Sequence, residues 1–441
     1  MVVEVLQPGL LTTVQDRGRR GYQKYGVPPA GAVDEYALRV ANCLLGNPDH
    51  EAALEATLLG PTLRFEQAGW IAITGADLGA RLNDAEVPLW ETIPVAEGDI
   101  LSFDRARWGM RAYVAFAGGI DLPVVLGSRA TYARARLGGL DGRPLQKGDR
   151  LPVRGGACSR RRLPQEWVPR YGLEPIRVVL GPHQDRFTEE GLRAFLSGEY
   201  RVLPDSDRMG LRLEGPRVEH VRGADIISGP VCTGAVQVPG NGQPIVLLAD
   251  RQTTGGYTQI ATVITADLYR LGQARPGDAI RFEACSLQQA QRALREPEEH
   301  LARIKQLVDR GELDVVERLR LRTHRAAYDV QVRLASAREL TVGISGTQFR
   351  VQLVGTPGQA AEGQGEGRLH ALRAPMPGQV VNVLVGAGDR VERGDRLAVL
   401  ETLKMEIELA SPASGVVSEV RVAKGAQVQD GQVMILITEG G

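Results

Sequence analysis

The sequence predicts a mainly β chain built from several domains, and three observations carry that expectation. The 441 residues include 53 Gly and 25 Pro but only 5% aromatics, a turn-rich composition in which Val, Ile and Leu must supply the strands. Short apolar runs separated by turn signals recur through residues 1–284. The last part of the chain repeats itself at a fixed spacing. At ~150 residues per domain, the length allows about three domains.

Charge and composition exclude several functions. Lys and Arg total 53 and Asp and Glu total 53, so the formal net charge is zero. Neither nucleic acid nor an anionic membrane is expected as a partner. A chain 43% hydrophobic and 24% charged is not disordered as a whole. Cys43, Cys158, Cys232 and Cys285 form no CxxC pair, and the six histidines show no metal-ligand spacing. No disulfide framework and no protein-bound metal are therefore expected. Residues 1–6 alternate like a strand and lack a basic leader, so the expected location is the cytoplasm.

Taken in order, residues 1–284 read as barrel or sandwich strands. Apolar runs fall at 70–74, 112–116 and 245–249. A Gly-Asp turn feeds a strand three times, at Gly98-Asp99, Gly148-Asp149 and Gly277-Asp278. One helix stands out, with Asp34 as cap, a stripe of Ala37, Val40, Ala41, Leu44 and Leu45, and Gly46 as stop. A helical connector is expected over 285–324. Ser286 and Gln289 would cap a helix over 287–294, and Pro297 would break it and open a second helix over 298–310. A small β segment follows over 325–354, with strands at 328–332 and 340–354. Small polar residues then make 355–368 a flexible linker.

Residues 369–441 carry the repeat. A shift of 37 superimposes Pro375 on Pro412, Gly378 on Gly415, Val380 on Val417, Gly388 on Gly425, Val391 on Val428 and Gly394 on Gly431. Two copies of one β unit, each too small to bury its own face, would pack about a pseudo-twofold axis. Between the copies lies Glu401-Thr402-Leu403-Lys404-Met405-Glu406, which would put Lys404 at the tip of an exposed hairpin. This layout resembles the biotinyl or lipoyl carrier domain, a flattened β-barrel with a modified lysine at its turn. Met405 after the lysine, with Leu403 in place of the usual first Met, favours biotin over lipoate. The resemblance implies a covalent biotin on Lys404, attached by a biotin protein ligase.

The front of the chain resembles the allophanate hydrolase subunit 2 family, which includes one half of the carboxyltransferase of urea carboxylase, the C component of 5-oxoprolinase and a regulator of a kinase inhibitor. The resemblance rests on Gln15-Asp16-Arg17-Gly18-Arg19-Arg20-Gly21, Gly26-Val27-Pro28, Gly31-Ala32-Val33-Asp34, Ala53-Leu54-Glu55, Thr74-Gly75-Ala76-Asp77, Ala117-Gly118-Gly119-Ile120, Leu126-Gly127-Ser128-Arg129-Ala130-Thr131, Gln237-Val238-Pro239, Asn241-Gly242-Gln243-Pro244 and Asp250-Arg251-Gln252-Thr253-Thr254-Gly255-Gly256-Tyr257. It departs from the family at Ala130, usually Ser, and at Gly229, usually acidic. It implies a cyclophilin-like β-barrel carboxyltransferase-half domain over 1–284.

Such a site must hold a planar amide, stabilise negative charge and manage one proton. Asp250, Gln237 and Arg129 are the catalytic candidates. Asp250 ends an apolar run before a Gly-rich loop, where it is either a working group or a turn cap on Thr253 or Thr254. Gln237 reads an amide or ends a strand. Asp16, Arg19, Arg208, Arg212, Thr254 and Tyr257 are the substrate-binding candidates. Asp16, Arg19 and Arg129 suit a carboxylate or bicarbonate-like group, or else form buried ion pairs, the reading favoured for Asp16. His183 reads as a loop residue rather than a base.

No ATP-grasp component and no second transferase half fit in this length. The expected partners are therefore an allophanate hydrolase subunit 1-like protein and a biotin carboxylase subunit through which ATP and bicarbonate act. A small amide would be the substrate. The expected function is a biotin-dependent carboxyltransferase subunit for urea or a related amide, lactam or guanidino nitrogen. The alternatives are a component like the C component of 5-oxoprolinase and a non-catalytic regulator that binds a subunit 1-type partner.

Overall fold

The computed structural model describes residues 1–172, 175–322, 327–344, 347–352, 369–375, 377–402, 405–429 and 431–438. The chain divides into two units, residues 1–353 and 354–441. The expected linker over 355–368 lies outside the described residues, as do Leu403 and Lys404.

The first unit opens with two stacked antiparallel sheets of six and five strands. Val3, Val5, Leu63, Phe65 and Leu101 of the six-stranded sheet meet Val14, Leu54, Ile71, Ile73, Val114 and Phe116 of the five-stranded sheet in one core. The five-stranded sheet also buries its other face. There Trp70, Ala72, Tyr113 and Ala115 pack against the helix Glu35–Leu45. Burial on both faces explains why 70–74 and 112–116 are continuous apolar runs rather than alternating ones. The helix has the expected ends. The Asp34 carboxylate accepts from the Ala37 N–H, and Gly46 takes φ 74° past the last turn.

The second half of this unit is one eight-stranded sheet. Its edge strands, Ala279–Ile280 and Phe282–Ala284, are neighbours in sequence. The first pairs with Tyr200–Val202 and the second with Ile176–Leu180, so one extended segment nearly closes the barrel. The three Gly-Asp turns share one construction. Each Gly has positive φ, and each Asp carboxylate accepts the N–H three residues back, at Ala96, Gln146 and Arg275. That bond fixes the turn before the strand starts.

Beyond residue 284 the structure corrects the expected break. A single helix, Leu287–Asp309, runs through Pro297. Pro297 removes one backbone hydrogen bond, but Leu294, Leu301 and Val308 recur every seven residues and keep one stripe on one face. Leu301, Ile304, Leu307 and Val308 join the core around Glu35–Leu45, and Arg39 pairs with Glu298. The Ser286–Gln289 capping box is present. Strand then replaces helix at Glu317–Arg322, the first of four strands in an antiparallel meander that ends at Thr347–Gln352. The expected strand over 340–354 is two strands, Glu339–Ile344 and Thr347–Gln352.

The second unit bears out the repeat. Strands Gly378–Val383 and Gly415–Val420 are 37 residues apart, as are Arg390–Val391 and Gln427–Val428. Its two four-stranded sheets have equivalent strand orders, and each takes two strands from each copy of the repeat. Neither copy completes a sheet alone, which is why the duplication folds as one flattened barrel. Leu397, Ala398, Leu400, Ile407, Met434, Ile435 and Ile437 fill it. No helix among the described residues is long and apolar enough to cross a membrane.

Candidate functional site

The two halves of the first unit meet through a buried polar cluster. Glu55, on the strand Ala53–Thr57, is 1% exposed. One oxygen receives the Arg208 guanidinium. The other accepts from the Val33 N–H at 2.9 Å and the Tyr113 hydroxyl at 2.7 Å. Burial works to raise the Glu55 pKa, but Arg208 and Arg111 overcome it and hold the carboxyl below its ordinary value.

Arg208 is also the clamp on Asp250. Its Nε donates to Asp250 Oδ2 at 2.9 Å and its Nη2 to Oδ1 at 3.1 Å, while Nη2 also reaches the Gly31 carbonyl at 2.7 Å. Asp250 is thus held by a two-pronged charged pair, and no hydrogen bond from its carboxylate to Thr253 or Thr254 is seen among the described residues.

Opposite this clamp lies the segment that begins at Asp16. Its carboxylate accepts from the Gly18 N–H at 2.8 Å, the Ser128 hydroxyl at 2.6 Å and the Arg129 N–H at 2.6 Å. Asp16 therefore fastens two loops through neutral donors rather than through a direct ion pair. Arg19 is 1% exposed and donates from Nη2 to the Ala130 carbonyl. Its Nε and Nη1 have no acceptor among the described residues. Burial lowers the Arg19 pKa, and Asp16 and Asp250 work against that, so Arg19 feels a carboxylate from each half of the unit.

The other candidates spread out. The Arg129 side chain turns to the Leu122 carbonyl at 2.8 Å and to Glu51 at 3.5 Å, while only its N–H meets Asp16. Gln237 is 2% exposed, with Nε2 donating to the Tyr257 carbonyl at 3.3 Å and Oε1 accepting from Gln252 at 3.2 Å. Thr254 and Tyr257 bound an exposed strand paired with Asp225–Pro230, where Gly229 stands opposite Gly255. Arg212 points outward and pairs with Asp205 at 3.2 Å. His183 Nδ1 accepts the Gln259 N–H at 3.1 Å, which ties its loop to the strand Gln259–Val263. Ala130, the departure from the family pattern, is fully buried and serves through its backbone.

Sequence reasoning missed Glu55 as a partner, along with Arg111, Tyr113, Asp34 and Gln273. Asp34 accepts from Tyr171 at 2.7 Å and from Gln273 at 2.8 Å, and burial pushes its pKa up to about 6 despite those bonds. A lone Glu between apolar residues, as in Leu54-Glu55-Ala56, was the available signal.

On the second unit, strands Arg396–Thr402 and Met405–Ala410 pair antiparallel up to Thr402 opposite Met405. The cofactor residues Leu403 and Lys404 fall outside the described residues, and Met405 is described only as the first residue of its strand.

Comparisons with known proteins agree with this division. Residues 25–284 match the family described as carboxyltransferase domain, subdomain A and B, and residues 370–437 match that described as biotin-requiring enzyme. The chain is 41% identical over 305 residues to the C component of 5-oxoprolinase from Escherichia coli, covering 69% of this chain and 97% of that one. It is 40% identical over 68 residues to the biotin carboxyl carrier protein of Streptococcus mutans, covering 15% of this chain and 52% of that one. The solved urea amidolyase of K. lactis superimposes with a TM-score of 0.66 at 32% identity, over 78% of this chain but only 23% of that one.

Proposed function

Because the chain belongs to the family of carboxyltransferase domains, subdomain A and B, and ends in a biotin-carrier domain, we propose that it is the transferase-half and carrier subunit of a cytoplasmic biotin-dependent carboxylase. In this reading biotin, bound through the Lys404 side-chain nitrogen, supplies the carboxyl group. The acceptor is the nitrogen of urea or of a related amide, lactam or guanidino compound. The transfer would exchange the carboxyl group for the N–H proton of the acceptor nitrogen. Asp250, fixed by Arg208, relays that proton. Arg19, with two donor nitrogens that meet no acceptor among the described residues, stabilises the negative charge, and Gln237 with Tyr257 and Thr254 lines the approach. The single observation that carries the proposal is the presence of both domains in one chain. An allophanate hydrolase subunit 1-like protein would complete the transferase, a biotin carboxylase would spend the ATP and bicarbonate, and a biotin protein ligase would modify Lys404. The domain boundaries at 284, 354 and 368 belong to this proposal, whereas the one expected at 324 gives way to the strand that begins at Glu317.

One observation favours a second reading. The chain is 41% identical over 305 residues to the C component of a 5-oxoprolinase, nearly that protein's whole length, which suits a part in ATP-dependent lactam hydrolysis. Partner capture followed by mass spectrometry separates the two. An ATP-grasp carboxylase in the eluate supports the transferase, whereas a hydantoinase-like ATPase without one supports the lactam hydrolase. Streptavidin reactivity that is lost in Lys404→Ala supports the carrier assignment. Reactivity that persists in the variant places biotin elsewhere, and an unmodified wild type in the presence of active ligase refutes the carrier role.

A further inference from the structure

Arg251 is the one large buried cation of the first unit that no carboxylate accounts for among the described residues. It is 2% exposed. Its Nε and Nη1 are buried without an acceptor, and no ion pair among the described residues reaches it. The other buried arginines differ. Arg39 meets Glu298 and Asp49, Arg208 meets Glu55 and Asp250, Arg111 stands 3.8 Å from Glu55, and Arg19 lies in the field of Asp16 and Asp250. Burial lowers the Arg251 pKa, and among the described residues Cys232 opposes it. An isolated buried cation is strongly unfavourable unless an anion accompanies it.

An exposed loop lies beside that cation. Cys232 is exposed, and the loop holding it is tied to the loop after Arg251 by the Val231 N–H on the Thr253 carbonyl at 3.1 Å. Gln23, four residues past Arg19, donates to the Val231 carbonyl at 3.3 Å. Arg251 directly follows Asp250 and precedes Gln252, which holds Gln237. The Arg19 segment, the Asp250 clamp and the Cys232 loop therefore converge on one region.

We propose that Arg251 is an anion seat for a small planar carboxylate-type group, either free bicarbonate or the carboxyl group arriving on the carrier. This rests on the transferase reading for its purpose but not for its chemistry. An unpaired guanidinium held ready in a dry site stabilises such a group more than one in water, and an unpaired buried cation costs stability.

The test is thermal unfolding of the full chain in formate, bicarbonate and neutral formamide, against chloride at equal ionic strength. Wild type should gain at least ~2 °C, saturably, with either oxyanion and nothing with formamide. Arg251→Met should lose that response, and its melting temperature in chloride should equal or exceed that of wild type. Arg251→Lys keeps the charge without the fork and should bind the oxyanion at least ~10-fold more weakly. A wild type indifferent to both oxyanions overturns the seat, as does a Met variant that responds like wild type. To separate the sources, carboxyl transfer is measured with the biotinylated chain and its partners. A loss of ~10²-fold or more in Arg251→Met marks the carrier's carboxyl group as the occupant, and unchanged transfer with a lost bicarbonate response marks free bicarbonate. An anion-responsive chain that never takes up biotin would sink the transferase reading and leave the seat. A biotinylated chain blind to anions would do the reverse.

Discussion

Arg208→Met is expected to be the most destabilising conservative-volume change in the first unit. The guanidinium makes four contacts, to Glu55, to both oxygens of Asp250 and to the Gly31 carbonyl. Met fills similar space but satisfies none of them. Asp250 keeps partial access to water, with its side chain 13% exposed, but Glu55 is 1% exposed and would keep only Tyr113, the Val33 N–H and the more distant Arg111. Stranding one member of a buried pair costs about 3–5 kcal/mol. At roughly 2–4 °C per kcal/mol, the melting temperature should fall by ~10 °C. The loss should also depend on pH. In wild type the depressed Glu55 pKa contributes stability that is present above the unfolded value and lost as pH falls. Without Arg208, burial dominates and raises the pKa, so the variant should lose further stability as pH rises above the unfolded carboxyl value. Glu55→Gln added to Arg208→Met removes the stranded charge and should recover part of the loss, ~1–3 kcal/mol. Urea unfolding monitored by circular dichroism from pH 5 to 8 measures all of this. A single variant within ~1 kcal/mol of wild type, or a double variant no better than the single, would refute the assignment of Glu55 and Arg208 as a mutually dependent buried pair.

Asp250→Asn should leave the fold standing and lower carboxyl transfer by ~10²–10⁴-fold, measured with partners present; wild-type turnover would reduce Asp250 to a structural anchor for Arg208. Asp34→Asn should remove a pH slope. The folded pKa is raised from 3.8 to about 6, so Asp34 contributes stability below pH 3.8 that is lost as pH rises through about 6. The stability of wild type relative to the variant should therefore fall by up to ~3 kcal/mol across that window, read from denaturant curves at closely spaced pH. Ile304→Ala should cost about 2–5 kcal/mol because Ile304 is 0% exposed in the core around Glu35–Leu45; a change under ~1 kcal/mol would detach that helix from the core. Ending the chain at 284 instead of 314 removes Leu301, Ile304, Leu307, Val308 and Leu313 together, and should give an insoluble or markedly less stable product in a solubility and melting comparison.

What the sequence revealed and what it hid divide along a physical line. Features written in neighbouring residues were legible. Asp34 and Gly46 bounded a helix, the Gly-Asp pairs announced strands, and the 37-residue shift foretold two interlocked sheets, because each needs only local geometry or a fixed period. The helix through Pro297 departs from the local rule about proline because packing against the core competes with that rule. The apolar stripe of Leu301, Ile304, Leu307 and Val308 was present in the same stretch, and its burial outweighs one lost hydrogen bond. The candidate site was legible only as a set of residue types. Glu55 and Arg208 are 153 positions apart and no pattern ties them, so the clamp on Asp250 emerges only when the two halves of the unit fold against each other. Arg129 and Arg208 look equivalent as sequence, yet one side chain turns to Glu51 and a carbonyl while the other grips Asp250. Arg251 shows the same limit from the other side. Its place beside Asp250 was plain, but its chemical meaning lies in the absence of a partner among the described residues, and a missing partner in a dry interior is a property of three-dimensional surroundings that no run of letters contains.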